Sequence, residues 1–215
     1  MVLLYYSRMR MINNLMTLLT ESTITTGARV ISVYAAGKGA AKMRSDDLSL
    51  TKDPSQYTFM RSQAHCVHMK TMYFEHLAKA HEGKLSLSHI FPGIVVTPNY
   101  EHPYFPWWFK ALWTLLGGLI KMFASIAPDE SGERMLYLAG PNFPARSAAV
   151  KSDSPAVATD GVVGGGAYSL NEKDEVNDIL KTYEPLRKEG FERQVVEHTD
   201  AVFAAIDAGK NRVDR

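Results

Sequence analysis

Apolar residues recur at helical spacing near the start of the chain. Leu4, Met11, Leu15, Leu18 and Leu19 fall on one face and predict a helix over residues 2–21. Thr25-Thr26-Gly27 ends the pattern. Arg29–Tyr34 is short and β-branched, and a glycine-rich stretch, Ala36-Gly37-Lys38-Gly39, follows it. That combination predicts a buried strand of a parallel sheet. The polar run 42–54 reads as a loop. A second helix is predicted over 57–81, with Met69, Met72, Tyr73, His76 and Leu77 on one face and Gly83 beyond its end. Leu85–Phe91 reads as a second strand, stopped by Pro92-Gly93. Residues 103–126 are apolar and hold all three tryptophans, but Lys110, Gly117-Gly118 and Lys121 interrupt them, which argues against a simple membrane span. Pro128 opens a helix to about Leu138, its acidic first turn suiting the helix dipole. The stretch 147–166, rich in Ala, Ser, Gly and Val, has no period and reads as a flexible insert. Ala167–Leu170 reads as a short last strand. An apolar stripe from Val195 to Ile206 predicts a C-terminal helix for packing or dimer contact. Strands alternating with helices predict an α/β fold with parallel strands.

Composition narrows the function. The chain has 215 residues, 46% of them hydrophobic, and a net charge of +1 spread without a basic stripe. Nucleic acid is therefore a poor partner. Cys66 is the only cysteine, so no internal disulfide forms, and a reducing, cytoplasmic setting is expected. The opening residues lack the form of a signal peptide, and they begin in mid-element, as expected of a truncated gene model or of a shortened protein. His65 and His68 share a helix face three residues apart, but no third ligand is evident, so no metal site is assigned. Cys66 has no identified activating partner.

Several segments together resemble the short-chain dehydrogenase/reductases. YYSRMRMINNLMTLL (5–19) resembles their central helix. ARVISVYAAGKG (28–39) looks like the fifth strand and its loop, and HIFPGIVVTP (89–98) the sixth strand with its Pro-Gly turn. APDESGERMLYLAG (127–140) and GAYSLNEKDEV (166–176) look like the last helix and strand of a fungal branch common in secondary metabolism.

The resemblance implies a partial Rossmann-like, doubly wound parallel sheet lacking the N-terminal nucleotide-binding half. Residues 1–146 would form the C-terminal half of that domain, 147–166 an insert, and 167–215 its last strand and helix. It also implies NAD(P) as cofactor, although no strand, glycine turn and helix suited to a pyrophosphate is present. Thr97, after the Pro-Gly turn, is the cofactor contact it would leave. The alternative is that this chain takes no cofactor.

The family works with Asn, Ser, Tyr and Lys. Leu4 falls where the Asn belongs and Ala35 where the Ser belongs. Tyr57 and Arg61 have the Tyr-x-x-x-Lys spacing with arginine as the cation, whereas spacing from the helix end puts Thr58 and Ser62 there instead. Tyr57, Arg61 and Ser32 are the candidate catalytic residues, each weighed against an ordinary structural role. Pro92, Gly93, Trp107, Trp108 and Phe109 are the candidate substrate contacts, the aromatics implying a large apolar molecule. Rival uses of that aromatic face are contact with a membrane surface, core packing, or an oligomer interface. The expected function is an oxidoreductase on a large apolar carbonyl or alcohol, with little or no redox activity in this chain. Against it stand a non-redox cyclase or isomerase and a non-catalytic remnant.

Overall fold

The computed structural model describes residues 1–39, 43–97, 106–123, 125–148 and 152–209. The predicted opening helix is divided. Val2–Tyr6 forms a π-helical turn, α1 spans Ser7–Asn14, and α2 spans Met16–Thr20 after a break at Leu15. The strand β1 (Ala28–Val33) follows. Next comes α3 (Phe59–Ala80), whose N-cap Thr58 accepts a hydrogen bond from the Arg61 backbone N–H at 3.3 Å. β2 spans Leu85–Ile90, and the short β3 is Ile94–Val95. α4 (Trp107–Phe123), β4 (Ser125–Ile126) and α5 (Pro128–Leu138) come next. β5 is Ala167–Leu170, and α6 (Leu180–Lys188) and α7 (Phe191–Asp207) close the described chain.

The main sheet has three strands in the order β1-β2-β5, all parallel, and β3 and β4 form a separate two-stranded parallel pair. The class is α/β, and the sheet is consistent with part of a Rossmann-like arrangement. Strand alternation sends successive side chains to opposite faces, and registered neighbours share a face. One face carries the row Val30, Leu87 and Ala167, the other the row Ile31, Ser88 and Tyr168. The first face meets α3, which is buried nearly all round, together with Tyr5, Met9 and Ile12 from the chain start and Phe191, Val195 and Phe203 from α7. The second face meets Leu138, Phe143 and Ala158. Both faces are thus covered, as a parallel sheet requires.

Polar ties fix the opening segment. The hydroxyls of Tyr5 and Thr199 lie 2.8 Å apart, and Tyr6 Oη lies 2.7 Å from His198 Nε2. Gly27, with φ +88°, precedes β1, and a Cβ there would stand 2.6 Å from the Ala145 Cβ.

Residues 152–166, expected as a free insert, pack against the body. Ala158 and Thr159 are buried, Val157 bridges Val163, and Asp160 is ion-paired with Arg146. The absence of a period there reflects irregular backbone held by tertiary contacts. α6 also stands as an element of its own and buries Tyr183.

Among the described residues β1 pairs on one side only, with β2. An unpaired parallel edge invites association. The purified chain is therefore expected to elute as more than a monomer or to aggregate on sizing, and a compact monomer with a cooperative melt would contradict this.

Candidate functional site

In an open parallel sheet the ligand crevice lies at the carboxyl ends of the strands. Here the last residues of the α3-facing rows turn polar, in register: Ser32 beside His89 beside Ser169. All three are buried. Asn177 donates to Ser169 Oγ at 3.0 Å.

Lys70 comes to this row from the middle of α3. Its side chain is fully enclosed, and Nζ donates to Ser32 Oγ at 3.0 Å. Arg8 of α1 also donates to Ser32 Oγ at 3.3 Å, and to the Val33 carbonyl at 2.6 Å. Tyr34, just past β1, lies under both cations: Lys70 Nζ is 5.1 Å and the Arg8 guanidinium carbon 5.7 Å from its ring centroid. On its other neighbour it stacks with His89, centroids 6.4 Å apart. The Tyr34 hydroxyl and both ring nitrogens of His89 are buried without a hydrogen-bond partner. Such orphans are uncommon and mark a place for a polar ligand or an ordered water.

No carboxylate forms an ion pair with Lys70 among the described residues. Burial first, and then Arg8, push the Lys70 amine down to about 7. Burial, Lys70 and Arg8 likewise hold His89 well below the ordinary histidine range, so its ring is neutral. Burial raises the Tyr34 phenol, with Arg8 opposing. The cluster therefore presents a hydroxyl, a phenol, a guanidinium, a neutral imidazole and an amine on the edge of neutrality. Chemically it suits a carbonyl or alkoxide oxygen, which accepts from such donors.

Ser32 is the one sequence-selected catalytic residue in this cluster. Tyr57 and Arg61 are not brought to it. Tyr57 is half exposed, and its hydroxyl accepts from the Met1 ammonium at 2.8 Å. Arg61 lies in the first turn of α3, about 13 Å of helix rise from Lys70. Lys70 follows Cys66 by four residues, so the Tyr-x-x-x-Lys spacing is met there with cysteine in the tyrosine's place. The weak signal available was that the residues one turn away from Lys70, Cys66, Val67, Tyr73 and Phe74, are apolar. Burial raises the Cys66 thiol, which leaves it inert.

His65 and His68 are both engaged. His65 Nε2 accepts from the Arg44 backbone N–H at 3.2 Å, and its Nδ1 lies 3.1 Å from the Leu48 carbonyl. His68 sits between the Tyr183 hydroxyl and the Gly39 carbonyl.

Pro92, Gly93 and Thr97 follow β2, half-buried. Trp107 and Trp108 open α4 with 81% and 55% of their surface exposed, on a helix that also exposes Leu112, Leu115 and Met122. The side chain of Phe109 lies outside the described residues. No helix among the described residues is long and apolar enough to cross a membrane.

No family model matches the chain. It is similar to the short-chain dehydrogenase/reductase SAT2 of Stachybotrys chartarum, at 36% identity over 205 residues, taking in 91% of this chain and 55% of that protein. An oxidoreductase of Emericella nidulans is 33% identical over 207 residues, or 93% of this chain and 59% of that one. The chain is a short-chain dehydrogenase/reductase-like protein of the fungal branch. A further relative of this SDR-like chain is the NmrA-like family domain-containing oxidoreductase notO of an Aspergillus species, at 29% identity and over 58% of its length. The chain thus spans somewhat over half the length of the curated relatives it matches.

The family suggests NAD(P), and the glycines here test the fit. A cradle for pyrophosphate needs open backbone N–H groups. At Gly37 a Cβ would meet the Asn177 side chain at 2.8 Å, at Gly39 the His68 ring at 2.9 Å, and at Gly93 Ile126 at 2.8 Å. Each of these turns is already filled by the chain's own side chains. Among the described residues no strand runs through a glycine turn directly into a helix, so they hold no pyrophosphate cradle of that kind.

Proposed function

We propose that this chain carries the substrate-oxygen end of an oxidoreductase-type site for a large apolar carbonyl or alcohol of secondary metabolism, and that alone it turns over little or nothing by redox. The carrying observation is the hydrogen bond from Lys70 to Ser32 at the carboxyl ends of the strands. Ser32 holds the substrate oxygen through its hydroxyl, and Lys70 gives or takes the proton there. The apolar face of α4, with Trp107 and Trp108, suits the body of such a substrate, while a membrane surface or a second subunit is its rival use. Thr97 stands as the family-implied cofactor contact. The filled glycine turns favour a second reading, a nicotinamide-independent isomerase or cyclase using the same cluster.

Calorimetry distinguishes them. Titration with 2-decanone is expected to give saturable binding, weakened about tenfold by Ser32→Ala through loss of one hydrogen bond. NADPH is expected to give none, and saturable NADPH binding by the 215-residue chain would reverse the cofactor assignment. Absence of ketone binding would reject the site.

A further inference from the structure

Lys70 is costly to keep where it is. It is enclosed, its one hydrogen-bond partner among the described residues is an uncharged hydroxyl, and a guanidinium shares that hydroxyl. A structural lysine at such depth would find a carboxylate. Within reach of the same row, the Tyr34 hydroxyl and both nitrogens of the 1% exposed His89 await a partner. An amine next to a second cation and away from water is the arrangement that makes lysine a nucleophile toward carbonyls.

We propose that Lys70 forms a covalent imine with apolar aldehydes or ketones, giving the site a nicotinamide-independent carbonyl chemistry. The neutral amine lone pair attacks the carbonyl carbon. The carbonyl oxygen takes up a proton to give a carbinolamine. That oxygen then leaves as water, and the C=N bond forms. Overall one amine and one carbonyl give one imine and one water, with no oxidant or reductant required. The Tyr34 ring lies 5.1 Å from Lys70 Nζ and stacks on His89, and the unpartnered polar atoms of these two residues would serve the departing oxygen. Once protonated, the imine acidifies the neighbouring C–H, which is the entry to enolisation, isomerisation or ring closure. Lys70 itself is covered, so the half-buried Arg8 and Tyr34 must move to admit the carbonyl.

The groups facing the Lys70 amine are Arg8 from α1, Ser32 of β1, Tyr34, His89 of β2, and Cys66 one turn earlier on α3. Burial and Arg8 favour the neutral amine, and Cys66 opposes weakly.

The proposal rests on reading this cluster as a carbonyl site, but its test does not involve NADPH. The full chain is treated at pH 7 with decanal at limiting concentration and cyanoborohydride, then peptide-mapped by mass spectrometry. Exposed lysines such as Lys181 and Lys188 are the internal comparison. The expected result is a single decyl group on Lys70, added at least about tenfold faster than on any exposed lysine. Arg8→Gln should move the midpoint of the labelling-rate profile to higher pH. Lys70→Arg should abolish the fast label while circular dichroism shows the fold retained, and Lys70→Met serves if the arginine disrupts it. Labels spread over exposed lysines with Lys70 unmodified would overturn the proposal. Fast labelling that persists without Lys70 would do the same. If ketone binding succeeds in calorimetry but trapping fails, the site reading stands and the imine falls.

Discussion

Arg187→Met is expected to destabilise the fold by about 3–5 kcal/mol, because it strands a carboxylate in the interior. Arg187 meets Glu75 with two hydrogen bonds, Nε to Oε2 at 3.0 Å and Nη2 to Oε1 at 2.7 Å. The Glu75 side chain is 0% exposed, and Arg187 also donates to the Thr159 carbonyl at 2.7 Å. One guanidinium therefore joins α6, α3 and the 152–166 segment, and it lies over the Tyr183 ring as well. Its removal leaves both the carboxylate and the carbonyl without a donor. The double variant Glu75→Leu/Arg187→Met should recover most of the loss, since no buried charge is then left unpaired. Urea denaturation of the single and double variants measures this directly. A single-variant loss below about 1 kcal/mol, the range of exposed pairs, would show that the pair is not buried in solution.

Elements whose stability is local were legible in the sequence. β1 was read from a short β-branched run before a glycine-rich loop and β2 from a run stopped by Pro92-Gly93, and the strands at 28–33, 85–90 and 167–170 lie within one residue of expectation. α5 followed from Pro128 and its acidic first turn, and α7 from its apolar stripe. Ser32 was singled out because the family resemblance puts a catalytic serine on this strand. The rest of the site was not legible for a physical reason: its contacts join residues far apart in sequence. The Lys70–Ser32 bond spans 38 positions, and the row Ser32, His89, Ser169 exists only through strand register. A lysine in a helix reads as a solvated residue until α3 is seen to be buried on nearly every side. The segment 152–166 misled for the same reason, since its order comes from Arg146, Arg187 and the sheet rather than from its own composition. Motif spacing pointed to Tyr57 and Arg61 because spacing carries no information on depth. Tyr57 sits at the surface, where its hydroxyl meets the chain's first residue.

Lys70→Met should raise stability, and the gain should depend on pH in a way that identifies its cause. Burial brings the amine to about 7 in the fold, against an ordinary 10.5 in the unfolded chain. Between those values the unfolded chain binds a proton that the folded chain does not, so folding is penalised there, increasingly as pH falls. Below pH 7 both states are protonated and the penalty is constant. Above 10.5 neither is, and it vanishes. The gap corresponds to about 4–5 kcal/mol at full extent, from which about 1 kcal/mol is lost because Ser32 forfeits its donor. The variant should therefore gain about 3–4 kcal/mol at pH 6–7 and lose about 1 kcal/mol at pH 10.5, with the wild type growing more stable between. Denaturant melts at pH 6.5, 8.5 and 10.5 read this out, and an equal gain at all three would mean improved apolar packing instead. A stability cost of that size at the carboxyl end of the sheet, beside two further unpartnered polar groups, is what a site arranged for chemistry rather than for packing requires.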